Sequence, residues 1–162
     1  MKQNNLKILY TGYQKIRKND VSSSLLLLEK VDKNKTFLFT NDFDKIIEEV
    51  NVLLNEFYDK IIMFGQKPLI KDLRIEKRAF LDDEILYTNF DLNELECLLK
   101  DYNISYKFSE NPGNSYCNYA YYQMLKIIKK RHLKTKVIFI HIPYIDKFNE
   151  IDKVVNLLKF IC

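Results

Sequence analysis

Short apolar runs alternate along this chain with segments whose apolar residues recur every three to four positions. The second pattern is clearest after Asn41 and Asp42, either of which can cap a helix whose apolar residues follow a 3.6-residue period from position 46 to 57. Runs rich in β-branched and aromatic residues predict strands. Strands are predicted at 6–10, 35–40, 60–64, 73–81, 104–109 and 136–142, and helices at 25–31, 42–57, 91–102, 114–130 and 148–161.

The order of these elements predicts the fold class. Strands and helices alternate, and right-handed crossovers place the helices on the outside of the sheet. We therefore expect an α/β protein, a three-layer αβα sandwich with a mostly parallel central sheet. With 162 residues, 47% of them hydrophobic, the chain fits one domain spanning 1–162.

Composition narrows the class of protein. The sequence has neither a membrane-length apolar segment nor the pattern of a secretory signal, which predicts a cytoplasmic protein without membrane contact. Its three cysteines, Cys97, Cys117 and Cys162, are odd in number and lack CxxC spacing, so neither a disulfide framework nor a zinc site is expected. No metal or cofactor is implied.

The net charge of +4 gives little support for nucleic-acid binding. The basic run at 129–136 follows a predicted helix, where cations complement the negative end of the helix dipole. A second basic cluster, Lys15, Arg17 and Lys18, lies beside Gly12. A phosphate or RNA site there is the alternative, although a glycine-rich phosphate loop is absent from the sequence.

The three glycines, Gly12, Gly65 and Gly113, each lie where a predicted strand or its exit loop gives way to the next element. Glycine allows a positive φ angle or a close approach to the backbone. Reactive groups of open α/β sheets gather beyond the carboxyl ends of strands. We therefore expect these glycines, with His141 at the end of a predicted strand, to mark a functional edge.

Cys117 and His141 are the candidate nucleophile and base. Cys117 begins a predicted helix, where the N-terminus and a nearby imidazolium can lower the pKa of a thiol, and free backbone N–H groups could hold an oxyanion. Glu76, an acid within a β-like run, is the candidate that orients the imidazole. The alternatives are a buried apolar cysteine, a hydrogen-bonded strand-end histidine and a surface acid paired with Lys77 or Arg78.

Several motifs resemble the pyroglutamyl peptidases, or pyrrolidone-carboxylate peptidases, which are cysteine peptidases of a three-layer α/β fold. KILYTGY resembles the opening strand and TGF turn of that family, KIIMFGQ its second glycine-glutamine turn, and IEKRAF the strand that bears its glutamate. NPGNSYCNYAYYQML resembles the nucleophile segment AGTxxCNxxxY, and FIHIPYI resembles the histidine segment. The resemblance covers most of the chain.

The resemblance implies roles for individual residues. Cys117 would be the nucleophile, His141 the general base and then acid, and Glu76 the residue that orients His141. Substrate-binding positions would be Tyr13 and Ile16, where the family has two phenylalanines around the lactam ring, and Gln66, which matches a pocket glutamine. The implied reaction removes an N-terminal pyroglutamyl residue from a blocked peptide through a thioester acyl-enzyme.

The chain also departs from the family pattern. KIRK replaces the PFGG loop, Ser22–Ser24 replaces NPS, Tyr119 replaces a histidine, and Leu86 stands where the family has an arginine near the oxyanion. A loop that follows this arginine in the family is missing. These differences favour altered specificity or, as the alternative function, an inactive relative that acts as a binding or assembly module. The resemblance further implies a homodimer or homotetramer.

Overall fold

The computed structural model describes residues 5–19 and 21–161. Its eight strands are β1 (Ile8–Tyr13), β2 (Thr36–Phe39), β3 (Lys60–Lys67), β4 (Leu73–Glu76), β5 (Arg78–Leu81), β6 (Glu84–Tyr87), β7 (Tyr106–Ser109) and β8 (Lys136–Pro143). Its five α-helices are α1 (Ser23–Glu29), α2 (Phe43–Leu53), α3 (Leu92–Asp101), α4 (Tyr116–Lys130) and α5 (Ile151–Leu158). None of the helices in these residues is long and apolar enough to span a membrane.

Six strands form the central sheet in the order β2-β1-β3-β8-β4-β7. Strands β2, β1, β3 and β8 are mutually parallel, and β4 is parallel to β7. Strand β4 runs antiparallel to β8. The expected α/β class with a mostly parallel sheet is therefore confirmed, with one antiparallel junction inside it.

Two hydrophobic clusters lie on opposite faces of this sheet, because side chains alternate between the faces along each strand. One cluster joins β3 and β8 to apolar residues of α1, α3 and α5. The other joins the alternate residues of these strands to α2, α4 and the β5–β6 hairpin. Helices thus cover both faces, as the three-layer prediction required.

The predicted strand at 73–81 is divided in two, which is a correction to the sequence analysis. Lys77 separates β4 from β5, and β5 pairs only with β6 in a second small sheet. The Lys77 N–H still bonds to the Ser109 carbonyl, but its own carbonyl accepts from Thr88 N–H. Consequently Ile75 packs in one cluster and Ala79 in the other.

Strand β1 also differs from its predicted bounds, since it extends through Gly12 to Tyr13. Gly12 therefore lies inside a strand, whereas it was expected at the turn that follows. Gly113 does lie in a loop and has a φ angle of +86°, which a side chain rarely adopts. This loop connects β7 to α4.

Candidate active site

The buried pair Glu76 and His141 is the centre of the site. Arg74 and His141 are register partners across the antiparallel β4–β8 junction, and Glu76 lies opposite Phe139. Glu76 and His141 are therefore diagonal neighbours on one face of the sheet. Glu76 Oε1 lies 2.7 Å from His141 Nδ1, and both side chains are almost fully buried. This geometry fixes the orientation of the imidazole ring.

Cys117 lies over Gly65 on the same face of the sheet. Gly65 in β3 is the register partner of His141 in β8. A side chain at position 65 would therefore point to the same face of the sheet as the His141 imidazole. A Cβ atom on Gly65 would lie 2.6 Å from Cys117 Sγ and 3.0 Å from the ring of Phe139. The absence of a Gly65 side chain therefore leaves the space that the thiol occupies beside the strand bearing His141.

Burial raises the pKa of the Cys117 thiol to about 12. The neighbouring Tyr13 hydroxyl and Lys67 ammonium lower this pKa, while the Glu76 carboxylate raises it further. The lowered pKa expected for a thiol at a helix start is therefore not found. Cys117 is the second residue of α4, but the cost of burying an anion over the sheet exceeds the effect of the helix end.

Three aromatic residues support the site. The Tyr13 hydroxyl donates to the Tyr116 carbonyl at 3.2 Å. Burial raises the pKa of Tyr13, and the nearby Cys117 raises it further. The Tyr121 hydroxyl donates to the Glu76 carbonyl at 2.8 Å. The Phe139 ring lies 4.8 Å from the His141 ring, centroid to centroid. These contacts restrict the movement of the candidate base and its carboxylate.

The other two predicted substrate-binding residues lie apart from this cluster. Gln66 alternates with Gly65 along β3, and its Oε1 accepts a hydrogen bond from Ser23 N–H at the start of α1, at 3.1 Å. Ile16 lies in the loop after β1 and is 74% exposed. Of the three substrate-binding predictions, the structure places only Tyr13 next to the thiol.

Lys67, at the end of β3, is a component of the site that the sequence analysis missed. Its ammonium group donates to the Asn111 carbonyl at 2.8 Å and lies 3.9 Å from Glu76 Oε1. The sequence could have indicated this, because side chains alternate between the two faces along β3. Lys67 is two residues from Gly65 and therefore projects from the same face. Tyr121, four residues after Cys117 on one helix face, was detectable in the same way.

The β5–β6 hairpin packs against the helix that bears Cys117. The Asn118 amide donates to the Phe80 carbonyl at 2.8 Å and accepts from the Phe80 N–H at 3.0 Å. Leu86, at the position where an arginine was expected from the family pattern, is 7% exposed and packs in the α4 cluster. The hairpin thus contributes packing at this position rather than a positive charge.

The remaining predicted features lie away from this site or outside the described structure. Cys97 is exposed on α3, and Cys162 lies outside the described residues. Across 5–19 and 21–161, no group of three or more His, Cys, Asp or Glu side chains is placed to hold a metal ion.

A thiol, an imidazole and a buried carboxylate on one face of an α/β sheet are the set of groups that cysteine peptidases use. The chain belongs to the pyroglutamyl peptidase family, whose sequence model matches residues 71–156. The matched segment includes Glu76, Cys117 and His141.

One curated relative is the pyrrolidone-carboxylate peptidase of Thermosipho melanesiensis, which is 32% identical over 81 residues. These residues are 49% of this chain and 37% of that protein, so the matched segment spans little more than a third of the relative.

Solved structures share the fold at lower sequence identity. The pyrrolidone carboxyl peptidase from Thermococcus litoralis superposes with a TM-score of 0.80 at 17% identity, covering 95% of this chain and 92% of that one. Bacillus amyloliquefaciens pyroglutamyl peptidase I gives a TM-score of 0.83 at 18% identity, covering 95% and 93% respectively. The similarity in fold therefore extends well beyond the segment matched by the family's sequence model.

Proposed function

We propose that this protein is a cysteine peptidase that removes N-terminal pyroglutamyl residues from peptides, with residues 1–162 acting as one pyroglutamyl-peptidase-like domain. The observation that carries the proposal is the buried 2.7 Å contact between Glu76 and His141, on the sheet face where Cys117 covers Gly65. Family membership supports the choice of pyroglutamyl peptides as the substrate class.

His141 acts as the general base in this proposal. An ionised Glu76 holds the proton of His141 on Nδ1, which leaves Nε2 to accept the proton of the Cys117 thiol. Because burial raises the pKa of this thiol to about 12, the resting thiol is protonated at neutral pH. The proton is therefore transferred as the sulfur attacks the substrate carbonyl, rather than beforehand.

The reaction then proceeds through two acyl transfers. Attack by sulfur forms a tetrahedral intermediate, whose oxyanion the backbone N–H groups at the start of α4 would stabilise. His141 returns its proton to the leaving amine, the C–N bond breaks and a thioester remains on Cys117. Water, deprotonated by His141, hydrolyses this thioester, releasing pyroglutamate and restoring the protonated thiol.

Tyr13, Ile16 and Gln66 are proposed to recognise the lactam. Tyr13 already lies beside Cys117, whereas Ile16 is exposed and would pack on the ring only when substrate is bound. The Gln66 oxygen is engaged by Ser23 N–H, so its amide nitrogen is the group proposed to donate to the substrate.

The direct test is hydrolysis of pyroglutamyl aminomethylcoumarin by the purified, reduced protein. We expect turnover by the wild type and its loss in Cys117→Ala and His141→Ala, with folding verified by circular dichroism. Prolyl and glutamyl amides with free N-termini serve as controls for the blocked ring. A wild-type protein that hydrolyses none of several pyroglutamyl substrates would contradict the proposal.

The raised pKa of Cys117 favours one second candidate, a binding module that has retained the fold without turnover. Such a module would bind a pyroglutamyl dipeptide with similar affinity in the wild type and in Cys117→Ala, as measured by calorimetry. It would release no amine from either protein. The peptidase predicts that the wild type consumes the dipeptide during the titration while Cys117→Ala does not.

A further inference from the structure

The ammonium group of Lys67 joins two parts of the site that are distant in sequence. It donates to the carbonyl of Asn111, in the loop between β7 and α4, and it lies 3.9 Å from Glu76 Oε1. The same carboxylate oxygen is bonded to His141 Nδ1. Lys67 and His141 therefore approach Glu76 together.

Glu76 requires a compensating charge at this place. Its side chain is fully buried, and its second oxygen, Oε2, has no hydrogen-bond partner among the described residues. Burying a carboxylate is costly unless charges or donors compensate it. Lys67, whose side chain is 28% exposed, supplies a cation that reaches this buried group from the rim of the site.

The loop that contains Asn111 leads into α4, the helix whose second residue is Cys117. Ser115, the N-cap of α4, makes no side-chain capping bond, so this helix start lacks the usual local restraint. The Lys67–Asn111 contact holds the loop to β3, the strand over which the thiol lies. The same lysine thus acts on the carboxylate side and on the nucleophile side of the site.

We propose that Lys67 is a positioning residue of this site, which joins the loop before α4 to the Glu76 carboxylate and places an ammonium group on the sheet face that Cys117 covers. The proposal rests on the proposed peptidase function, because it assigns Lys67 a part in the same reaction. It adds to the Cys117–His141–Glu76 set a group that acts through the others rather than on the substrate.

The effect of Lys67 on the thiol has a definite sign. The titratable and charged groups that act on Cys117 are Tyr13 on β1, Lys67 on β3 and Glu76 on β4, and His141 on β8 projects from the same face of the sheet. The carboxylate disfavours the thiolate, and the ammonium group favours it. Removing the ammonium group is therefore expected to raise the Cys117 pKa and slow reactions of the thiolate.

The test compares Lys67→Met with Lys67→Arg, and uses Lys71→Met as the matched control because Lys71 is exposed in the loop after β3. Iodoacetamide labelling of Cys117 is followed by mass spectrometry of its peptide between pH 7 and pH 10, so that the other cysteines do not interfere. Each unit by which the Cys117 pKa rises reduces the thiolate fraction about tenfold. The remaining thiolate is more nucleophilic, because it belongs to a more basic thiol, and this partly offsets the loss. We expect about threefold slower labelling in Lys67→Met per unit of pKa increase.

Rescue in Lys67→Arg and wild-type rates in Lys71→Met would support the proposal, together with a lower kcat in Lys67→Met at little change in KM. Labelling of Lys67→Met at the wild-type rate would overturn it, even if the melting temperature fell. An equal decrease in Lys71→Met would also overturn it, because net charge alone would then explain the effect. Since labelling needs no turnover, a wild type without peptidase activity but with this labelling pattern would refute the peptidase and would still support the positioning effect of Lys67 on the Cys117 thiol.

Discussion

Cys117 fills the space in which Gly65 would carry a side chain. A Cβ atom at Gly65 would lie 2.6 Å from the Cys117 sulfur, which is closer than such atoms approach in folded proteins. Because Gly65 is also the register partner of His141, the position of the sulfur relative to the imidazole depends on this glycine. The relationship links the packing of α4 on the sheet directly to the proposed chemistry.

Gly65→Ala is therefore expected to destabilise the protein by about 1–3 kcal/mol and to abolish turnover, because the added methyl group overpacks the site. Urea denaturation and hydrolysis of a pyroglutamyl substrate measure the two effects. In a Cys117→Ala background, Gly65→Ala should lower the free energy of unfolding by about 1 kcal/mol less than in the wild type, since the sulfur has been removed. An equal loss of stability on Gly65→Ala in both backgrounds would contradict the contact between position 65 and the Cys117 sulfur. Part of the loss should persist without the sulfur, because the added methyl group also meets the Phe139 ring.

Glu76→Gln is expected to lower kcat by roughly 10²–10⁴-fold, because the amide keeps the shape of the side chain but loses the charge that orients and stabilises His141. Steady-state kinetics, with a urea or thermal denaturation curve, separates this effect from misfolding. Glu56→Gln is the control, since Glu56 is exposed and pairs with Lys7 near the amino ends of β1 and β3. An unchanged kcat in Glu76→Gln would exclude the proposed role of this carboxylate.

Alkaline pH should destabilise the wild type more than Cys117→Ala. The folded-state pKa of Cys117, about 12, exceeds that of an unfolded thiol, so the unfolded state loses its proton first. The contribution of Cys117 to stability is therefore fully present below the unfolded pKa and is lost as the pH rises toward 12.

Between pH 8 and pH 10.5 we expect the wild type to lose about 2 kcal/mol more than the variant in urea denaturation. Buried tyrosines such as Tyr13 contribute to alkaline destabilisation of both proteins, so only the difference is informative. Parallel losses in the two proteins would show that the thiol titrates normally.

Asn118→Ala should detach the β5–β6 hairpin from α4. The substitution leaves both the N–H and the carbonyl of Phe80 without the Asn118 amide, and unpaired buried groups are costly. We expect a loss of about 2–4 kcal/mol in stability and faster amide exchange within the hairpin. Asn114→Ala, at an exposed residue just before α4, is the control and should change neither quantity. Unchanged hairpin exchange in Asn118→Ala would contradict this role.

Local patterns were sufficient for most elements. The helix after Asp42 begins where its cap predicts, since the Asp42 carboxylate accepts from Asp44 N–H and Lys45 N–H. The break at Lys77 could not be predicted, because strand-like residues continue on both sides of it. At this break the Lys77 carbonyl accepts its hydrogen bond from the N–H of Thr88, eleven residues away, a pairing that a local pattern does not show.

The sequence by itself determined the α/β class and the family resemblance, and it singled out Cys117, His141 and Glu76 as candidate site residues, because periodicity and motifs are properties of neighbouring residues. Only the tertiary structure decided that β4 runs antiparallel to β8, which makes Glu76 a diagonal neighbour of His141. It also decided that Lys67 reaches Glu76 and that the partly buried thiol lies over Gly65 of the sheet. Strand order, strand direction and burial arise from packing between segments far apart in the chain, and local patterns carry little information about that packing.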